Sequence, residues 1–476
     1  MFDFEILTHW AKEKPDALAF VDDSHSLNFA QLNILTRSMA GFLQSKGVKP
    51  GDLVNVFLPT YLNWVTTLSL HLLGCVTMSR KEVAFSAPVV IPDWHISMKS
   101  DPAIESSKTL LFEDSLFREA TSCKPIIEYR GYSEEDEIVR LVGTSGTTGD
   151  MKFVPIHAGD FEPMIKRKSS WDGVQQGNVL SLYPLGGKQT YRNALRSLAL
   201  GETFYYIDRN GYQIAKILRR NDIATLSGSP TQISHVVEIL RQTGTSLPEL
   251  KSVVMGGSEP TPQLINRIKE WMNCRIFNAY GSTEVGNASL MEITDGIPEG
   301  SILNSQVTLE IVDDQDNLLA SGEIGRIRYK SPDMARGYYK NPVATGEFFK
   351  DGYFYPGDLG RLTHDGLLVL EGRINEVINL GGVKFNPEVV DRVAIAQLGV
   401  IDCAAFPVVS KDGKEQLAIA LVHDEDFDLQ TFGKVMSKKA PFVPEIYIKR
   451  SFIPRNENGK ILRRKLTDEY MESLNP

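Results

Sequence analysis

The chain has 476 residues, 42% of them hydrophobic and 23% charged, with a formal net charge of −9 and a pI near 5.5. That length exceeds one ordinary core and leaves room for about three domains or subdomains, and the composition excludes disorder as the main state. The acidic balance argues against a nucleic-acid partner.

Residues 17–22 and 53–58 read as short apolar strands around a helix whose inner face is Leu32, Leu35, Met39, Phe42 and Leu43. Asn28 followed by Gln31 has the form of a capping box, and Gly47 fits the far end. The pattern predicts a β-α-β opening, continued by an apolar helix from about Asn63 to Leu73. Residues 76–137 mix Pro, Ser and charges and carry no regular period.

An apolar run from Ile138 to Val142 then opens into a loop with three glycines and four hydroxyl residues, Gly143 to Gly149, closed by Lys152. Glycines let backbone N–H groups turn toward one point, hydroxyls add donors and the lysine adds a point charge, so the loop suits a polyphosphate. It is not a Walker loop, because Asp150 follows Gly149 where that pattern needs Lys-Ser/Thr.

Beyond the loop, apolar segments at 178–183, 203–207, 223–227, 252–255 and 275–279 alternate with helical patterns. One helix starts near Thr261 with Pro262 just inside and carries Leu264, Ile265, Ile268 and Trp271 on one face. Such alternation predicts largely parallel sheets covered on both sides. Residues 305–371 switch to short strands with turn signals at Asp313-Asp314, Asp351-Gly352 and Asp365-Gly366, the mark of a small β-rich subdomain. The last hundred or so residues read as a compact α+β module: a helix after Asn386-Pro387, a hairpin at Lys411-Asp412-Gly413 and a helix near 428–438.

The four cysteines, Cys75, Cys123, Cys274 and Cys403, match neither CxxC nor zinc spacing and read as free thiols. The eight scattered histidines include no His-Glu-x-x-His, so a histidine-held metal has no support. The start, Met-Phe-Asp-Phe-Glu, lacks a basic and then apolar leader, and no run of ~18 apolar residues suggests a transmembrane segment. A cytoplasmic location is expected.

Several segments together resemble the adenylate-forming superfamily of acyl- and aryl-CoA synthetases, nonribosomal peptide synthetase adenylation domains and luciferase. Thr144-Ser145-Gly146-Thr147-Thr148-Gly149 with Lys152 is similar to its phosphate loop. Asn278-Ala279-Tyr280-Gly281-Ser282-Thr283-Glu284 is similar to its Tyr-Gly-x-Thr-Glu motif, Asp351 to Asp358 to its Asp-Gly-Trp-x-x-Thr-Gly-Asp motif, and Gly372-Arg373 to its hinge motif. Asn458-Gly459-Lys460 is similar to its C-terminal lysine motif. The order of these segments along the chain is the family's own.

The resemblance implies an α/β fold: a large N-terminal domain of layered α/β subdomains with a small β-rich subdomain, and a smaller, mobile α+β C-terminal domain. The boundaries expected are 1–373, divided at about 1–137, 138–304 and 305–373, and 374–476. It implies ATP, Mg²⁺ and CoA, or the phosphopantetheine of a carrier protein. Tyr280 would stack on adenine and Asn278 would bond its amine. Gly257, Ser258 and Glu259 would line the base, and Asp358 and Arg373 would meet the ribose. Glu284 and Thr147 would hold Mg²⁺, and Lys460, with Thr283 and Glu284, would act on the reacting groups. The small domain would turn about Asn375, and Gly381 and Gly382 would let a pantetheine arm pass close to the backbone.

Departures from the family pattern bear on the acid. Leu185-Gly186-Gly187-Lys188 stands where acyl-CoA synthetases often carry Pro-x-Phe-His and amino-acid-activating enzymes an Asp that pairs with the substrate ammonium. A cation at Lys188 would repel an α-ammonium in a low dielectric, and Gly187 would widen the pocket mouth. The acid expected is therefore uncharged beyond its carboxylate, or carries a second acidic group facing Lys188 or Arg192. The leading reading is a fatty-, aryl- or dicarboxylic-acid–CoA ligase. Its rivals are an enzyme that loads a separate acyl carrier protein, and a non-catalytic nucleotide-binding homologue.

Overall fold

The computed structural model describes residues 5–80, 90–99, 108–145, 151–161, 174, 177–207, 214, 217–218, 223–380, 383–409, 415–425, 427–440, 442–455 and 461–474. Two large sheets dominate the body. In the first, the strands Leu18–Val21, Phe204–Tyr206, Asn178–Ser181, Ile223–Gly228, Ser252–Gly256 and Arg275–Ser282 lie parallel in that spatial order. Antiparallel edges are added by Ser26–Asn28 on one side and by Gly286–Glu292 and Ile302–Leu303 on the other. Every residue of Ile223–Gly228 is buried, as a parallel strand covered on both faces requires.

The second sheet runs Lys108–Leu111, Trp94–Ser97, Leu53–Phe57, Val76–Met78 and Ile138–Ser145 in parallel, and ends in the antiparallel strand Met151–His157. The helices Phe29–Ser45, Thr60–Leu72 and Lys188–Leu200 fill the space between the sheets. Their Leu32, Phe42, Trp64, Leu68, Tyr191 and Leu195 share one core with Phe20 and Phe204 of the first sheet and Val54 and Ile96 of the second. The capping box at Asn28 and Gln31 forms as expected, with reciprocal bonds of 3.0 and 2.8 Å. Thr261 caps Pro262–Trp271 by accepting from the Leu264 N–H.

The β-α-β opening does not form. Leu18–Val21 and Leu53–Phe57 belong to different sheets, because the first strand folds back on Ser26–Asn28 and its other edge is taken by the distant Phe204–Tyr206. For the same reason the expected limit at 137/138 does not follow the sheets: residues 18–28 sit with 178–303, and residues 138–157 sit with 53–111.

Residues 308–373 form a six-stranded antiparallel sheet. Its Leu309, Ile327, Tyr329 and Phe354 pack on Val154 and Val285 of the body. After Arg373 come a short helical turn, Ile374–Glu376, and an α+β module built on the antiparallel pair Val400–Val409 and Glu415–His423. Among the described residues no helix is long and apolar enough to cross a membrane.

Candidate active site

The carboxyl ends of the parallel strands in the first sheet gather on one edge, where open α/β sheets place their ligands. There Tyr183 donates to the carbonyl of Gly256 at 3.1 Å, and Gly257 turns the chain with φ +90°, a conformation that favours glycine. Ser258 leads on to Glu259, whose carboxylate meets Arg392 of the C-terminal module at 3.2 Å. On the neighbouring strand Ala279 pairs with Gly256, and Gly281 has no room for a side chain because a Cβ would collide with the Gly286 carbonyl.

Asn278 and Tyr280, two residues apart on Arg275–Ser282, project to one face of the strand. The Asn278 Oδ1 is buried without a hydrogen-bond partner among the described residues. An acceptor left so costs ~1–3 kcal/mol, and the exocyclic amine of adenine is a donor of the kind that would satisfy it. Tyr280 donates to Asp358 Oδ2 at 2.6 Å, and Asp358 Oδ1 lies 2.7 Å from Arg373 Nε. The pair is set by strand register, since Asp358 stands opposite Arg373. Burial, then the Asp358 charge, raise the pKa of Tyr280, so its hydroxyl remains a donor. Burial disfavours the Arg373 charge, but Asp358, Tyr280, Glu376 and Glu388 together outweigh this and its pKa rises.

Glu284 follows in the turn after this strand. Its side chain is buried and accepts from the Tyr338 hydroxyl at 2.8 Å. A buried carboxylate held by one neutral donor fits a hard cation. The turn itself is fastened through consecutive carbonyls: Thr283 O accepts from Lys188 Nζ at 2.8 Å, Glu284 O from Ala335 N at 2.7 Å and Val285 O from Ser331 Oγ at 2.9 Å. Lys188 also reaches the Asp333 carbonyl at 3.5 Å. Burial lowers its pKa against the pull of Asp333, Glu284 and Asp160, and Arg192, one turn along the same helix, lowers it further. The Lys188 ammonium is thus directed at main-chain carbonyls. Gly187 is the N-cap of that helix, without a side-chain cap.

In the second sheet Thr144 pairs with Lys152 and Ser145 with Met151, so the glycine loop joins two antiparallel strands. Lys152 is buried, with its ammonium 4.4 Å from the Phe348 ring centre and 5.7 Å from that of Tyr338. Gly146, Thr147, Thr148 and Gly149 of the loop, Gly381 and Gly382, and Lys460 lie outside the described residues. What flanks Lys460 is defined: Arg455 and Ile461 pair as a bridge, and Arg463 is buried against Asp391 at 2.7 Å and Glu376 at 3.2 Å. Asn375, exposed, sits beside Glu376 in the turn after Arg373.

Two residues that sequence reasoning did not assign to the site belong to this arrangement. Tyr338 lies in Gly337-Tyr338-Tyr339, whose Gly337 has φ +146°; that glycine was the available signal. Asn386 donates through Nδ2 to the Arg373 carbonyl at 3.0 Å and fills the space a side chain at Gly372 would need.

A family model described as AMP-binding enzyme matches residues 7–79 and 91–339. The chain belongs to the AMP-binding enzyme family. AMP-binding enzymes similar to it include the 2-hydroxy-7-methoxy-5-methyl-1-naphthoate–CoA ligase of Streptomyces carzinostaticus, 25% identical over 512 residues that cover 97% of this chain and 91% of that one. The medium/long-chain-fatty-acid–acyl-carrier-protein ligase FadD10 of Mycobacterium tuberculosis is 24% identical over 515 residues, 96% of this chain and 93% of that one. Among solved structures, O-succinylbenzoate coenzyme A synthetase of Bacillus subtilis in complex with AMP superposes with a TM-score of 0.82 at 20% identity, over 98% of each chain. The family, and with it adenylate-forming ligase chemistry, is what Asn278 to Glu284 and the Asp358–Arg373 pair had pointed to.

Proposed function

We propose that this AMP-binding enzyme activates a carboxylic acid of the fatty, aryl or dicarboxylic class as acyl-AMP and passes the acyl group to the thiol of CoA. The observation that carries the nucleotide half is the Asn278 Oδ1, unpartnered among the described residues, beside a Tyr280 that is bonded to Asp358, which in turn pairs with Arg373. Asn278 would take the adenine amine, Tyr280 the face of the ring, and Asp358 and Arg373 the ribose hydroxyls. Thr144 to Gly149 and Lys152 would hold the phosphates.

In the first half an oxygen of the acid attacks the α-phosphorus of ATP, the bond to the bridging oxygen breaks, and pyrophosphate leaves. Two anions must meet there, so a lysine that neutralises both lowers the barrier; Lys460 is assigned that role. Glu284 and Thr147 would hold Mg²⁺, which supplies positive charge to the phosphate oxygens. In the second half a sulfur attacks the acyl carbon and AMP leaves. The turn at Asn375 would let the C-terminal module exchange Lys460 for the Gly381-Gly382 segment between the halves.

A carrier-protein thiol as acceptor is the second reading, favoured by the likeness to an acyl-carrier-protein ligase. The naphthoate–CoA relative favours CoA. ATP–pyrophosphate exchange over a panel of carboxylic acids, followed by CoA or a holo carrier protein, tests the proposal. Exchange is expected with a non-amino acid, and Lys460→Ala is expected to abolish it while sparing thioester formation from supplied acyl-AMP. Exchange driven best by an α-amino acid would overturn the substrate class, and none with any acid would leave a nucleotide-binding homologue.

A further inference from the structure

Lys188 opens the helix Lys188–Leu200, which the sequence pattern places toward the acid, yet its ammonium spans 95 residues of sequence to the Thr283 carbonyl and 145 to that of Asp333. Among the described residues the other fasteners of the 282–285 turn, Tyr329, Ser331, Ala335 and Tyr338, all come from the small β-rich subdomain. Among the described residues Lys188 is the fastener that comes from the helix Lys188–Leu200 of the body. Without it the Thr283 carbonyl would lose that bond, and the peptide joining Thr283 to Glu284 would be restrained only from the Glu284 side, by Ala335 and Tyr338.

We propose that Lys188 is a positioning residue for the nucleotide half of the reaction: by holding the Thr283 carbonyl it fixes the direction of the Glu284 carboxylate, and so couples the acid-side helix to the MgATP site. This rests on the proposed function for what Glu284 does. It differs from a role in recognising a second acidic group on the acid, which would need the ammonium turned toward the substrate. The charge sits among Asp333, Glu284 and Asp160, with Arg192 opposing, so it is balanced without a substrate carboxylate.

The test compares wild type, Lys188→Met and Lys188→Arg as full chains. Two readouts are taken: calorimetric binding of a non-hydrolysable ATP analogue over a range of Mg²⁺, and ATP–pyrophosphate exchange with the best acid. Lys188→Met is expected to weaken Mg²⁺-dependent analogue binding about tenfold and to slow exchange on the order of 100-fold, as a misplaced reacting group does. The KM for the acid should stay near wild type. Lys188→Arg, which can still donate to a carbonyl, should recover much of both losses.

Unchanged analogue binding in Lys188→Met, or a raised KM for the acid with unchanged nucleotide binding, would overturn the proposal. Thermal melting confirms folding; should the methionine variant not accumulate, Lys188→Gln gives the same comparison. If the wild type exchanges with no acid, it is the proposed function that fails, and analogue binding alone then decides whether Lys188 supports the nucleotide site.

Discussion

The Tyr338 hydroxyl donates to Glu284 at 2.8 Å while the Lys152 ammonium lies 5.7 Å from the same tyrosine's ring centre. A carboxylate from a turn of the first sheet and a lysine from the second therefore converge on one phenol of the β-rich subdomain. Burial, then the Glu284 charge, push the Tyr338 pKa up, so the phenol stays protonated and can only donate to the carboxylate. One oxygen of Glu284 is thereby occupied.

Tyr338→Phe removes that donor and keeps the ring beneath Lys152. A hydrogen bond to a charged group is worth about 1.5–3 kcal/mol, so Mg²⁺-dependent exchange should fall about 10- to 100-fold. Half-saturation by Mg²⁺ should rise while the KM for the acid holds. A Mg²⁺ titration of pyrophosphate exchange checks this, and an unchanged titration would mean that Glu284 is oriented by something else.

Gly372 has φ +114° and has no room for a Cβ, because the Asn386 side chain lies there. Asn386 joins the last strand of the body to the C-terminal module by donating to the Arg373 carbonyl and accepting from the Glu388 N–H, each at 3.0 Å. Gly372→Ala should destabilise the chain by about 1–3 kcal/mol through backbone strain alone, and more through displacement of Asn386. Denaturant midpoints of Gly372→Ala, Asn386→Ala and the double variant give the coupling. A double variant no more stable than simple addition of the single losses would show that the two residues do not collide.

Much of the fold is legible where strands are buried on both faces, because short runs of apolar and small residues bearing no charge, such as Ile223–Gly228 and Ser252–Gly256, need no period to be recognised. Local hydrogen bonds are legible too: the capping box of Asn28 and Gln31 and the Thr261 cap satisfy donors within their own helix. Partnership is not. Nothing in Leu18–Val21 says that its neighbour is Phe204–Tyr206 rather than the next strand along the chain. The strands Val76–Met78, Trp94–Ser97 and Lys108–Leu111 are too short to show alternation. In the site, Tyr280, Asp358 and Arg373 could be named from motifs, whereas Tyr338 reaches Glu284 across 54 residues. Lys188 ends on a main-chain carbonyl, an acceptor with no sequence signature. The basic run after Lys460, whose ordinary reading is a solvated surface, contains an Arg463 buried in two ion pairs.

His71 gives a pH dependence with a definite sign. It is fully buried between Tyr132 and Tyr191, at 2.9 Å from Nδ1 and 2.8 Å from Nε2. Tyr132 spends its proton on the Cys75 carbonyl, so it must accept from Nδ1–H, and Nε2 accepts from Tyr191. Burial, then the nearby Arg140 charge, hold the His71 pKa well below 6.5. The unfolded chain takes up a proton below about pH 6.5 that the folded chain refuses. Stability from this group is therefore intact above that pH and falls below it, by at most ~1.4 kcal/mol per pH unit. Urea midpoints from pH 7 to 5 should fall less steeply in His71→Gln than in wild type; parallel slopes would remove His71 as the source.

Asn375 lies in the short turn Ile374–Glu376, directly after the strand that delivers Arg373 to Asp358. Proline at 375 would fix its φ and disfavour the helical conformation of Ile374 before it, stiffening the one connection the C-terminal module has to turn about. On the proposed function the adenylation half would need one placement of that module and the thioester half another, so Asn375→Pro should slow thioester formation from supplied acyl-AMP more than pyrophosphate exchange. Because Glu376 in the same turn holds Arg463 at 3.2 Å, Glu376→Gln is the companion variant: it loosens the tie between the turn and the Lys460 segment and should lower exchange first. Single-turnover assays of the two halves distinguish these outcomes. Equal losses in both halves for both variants would show that the turn serves folding and not the exchange of placements.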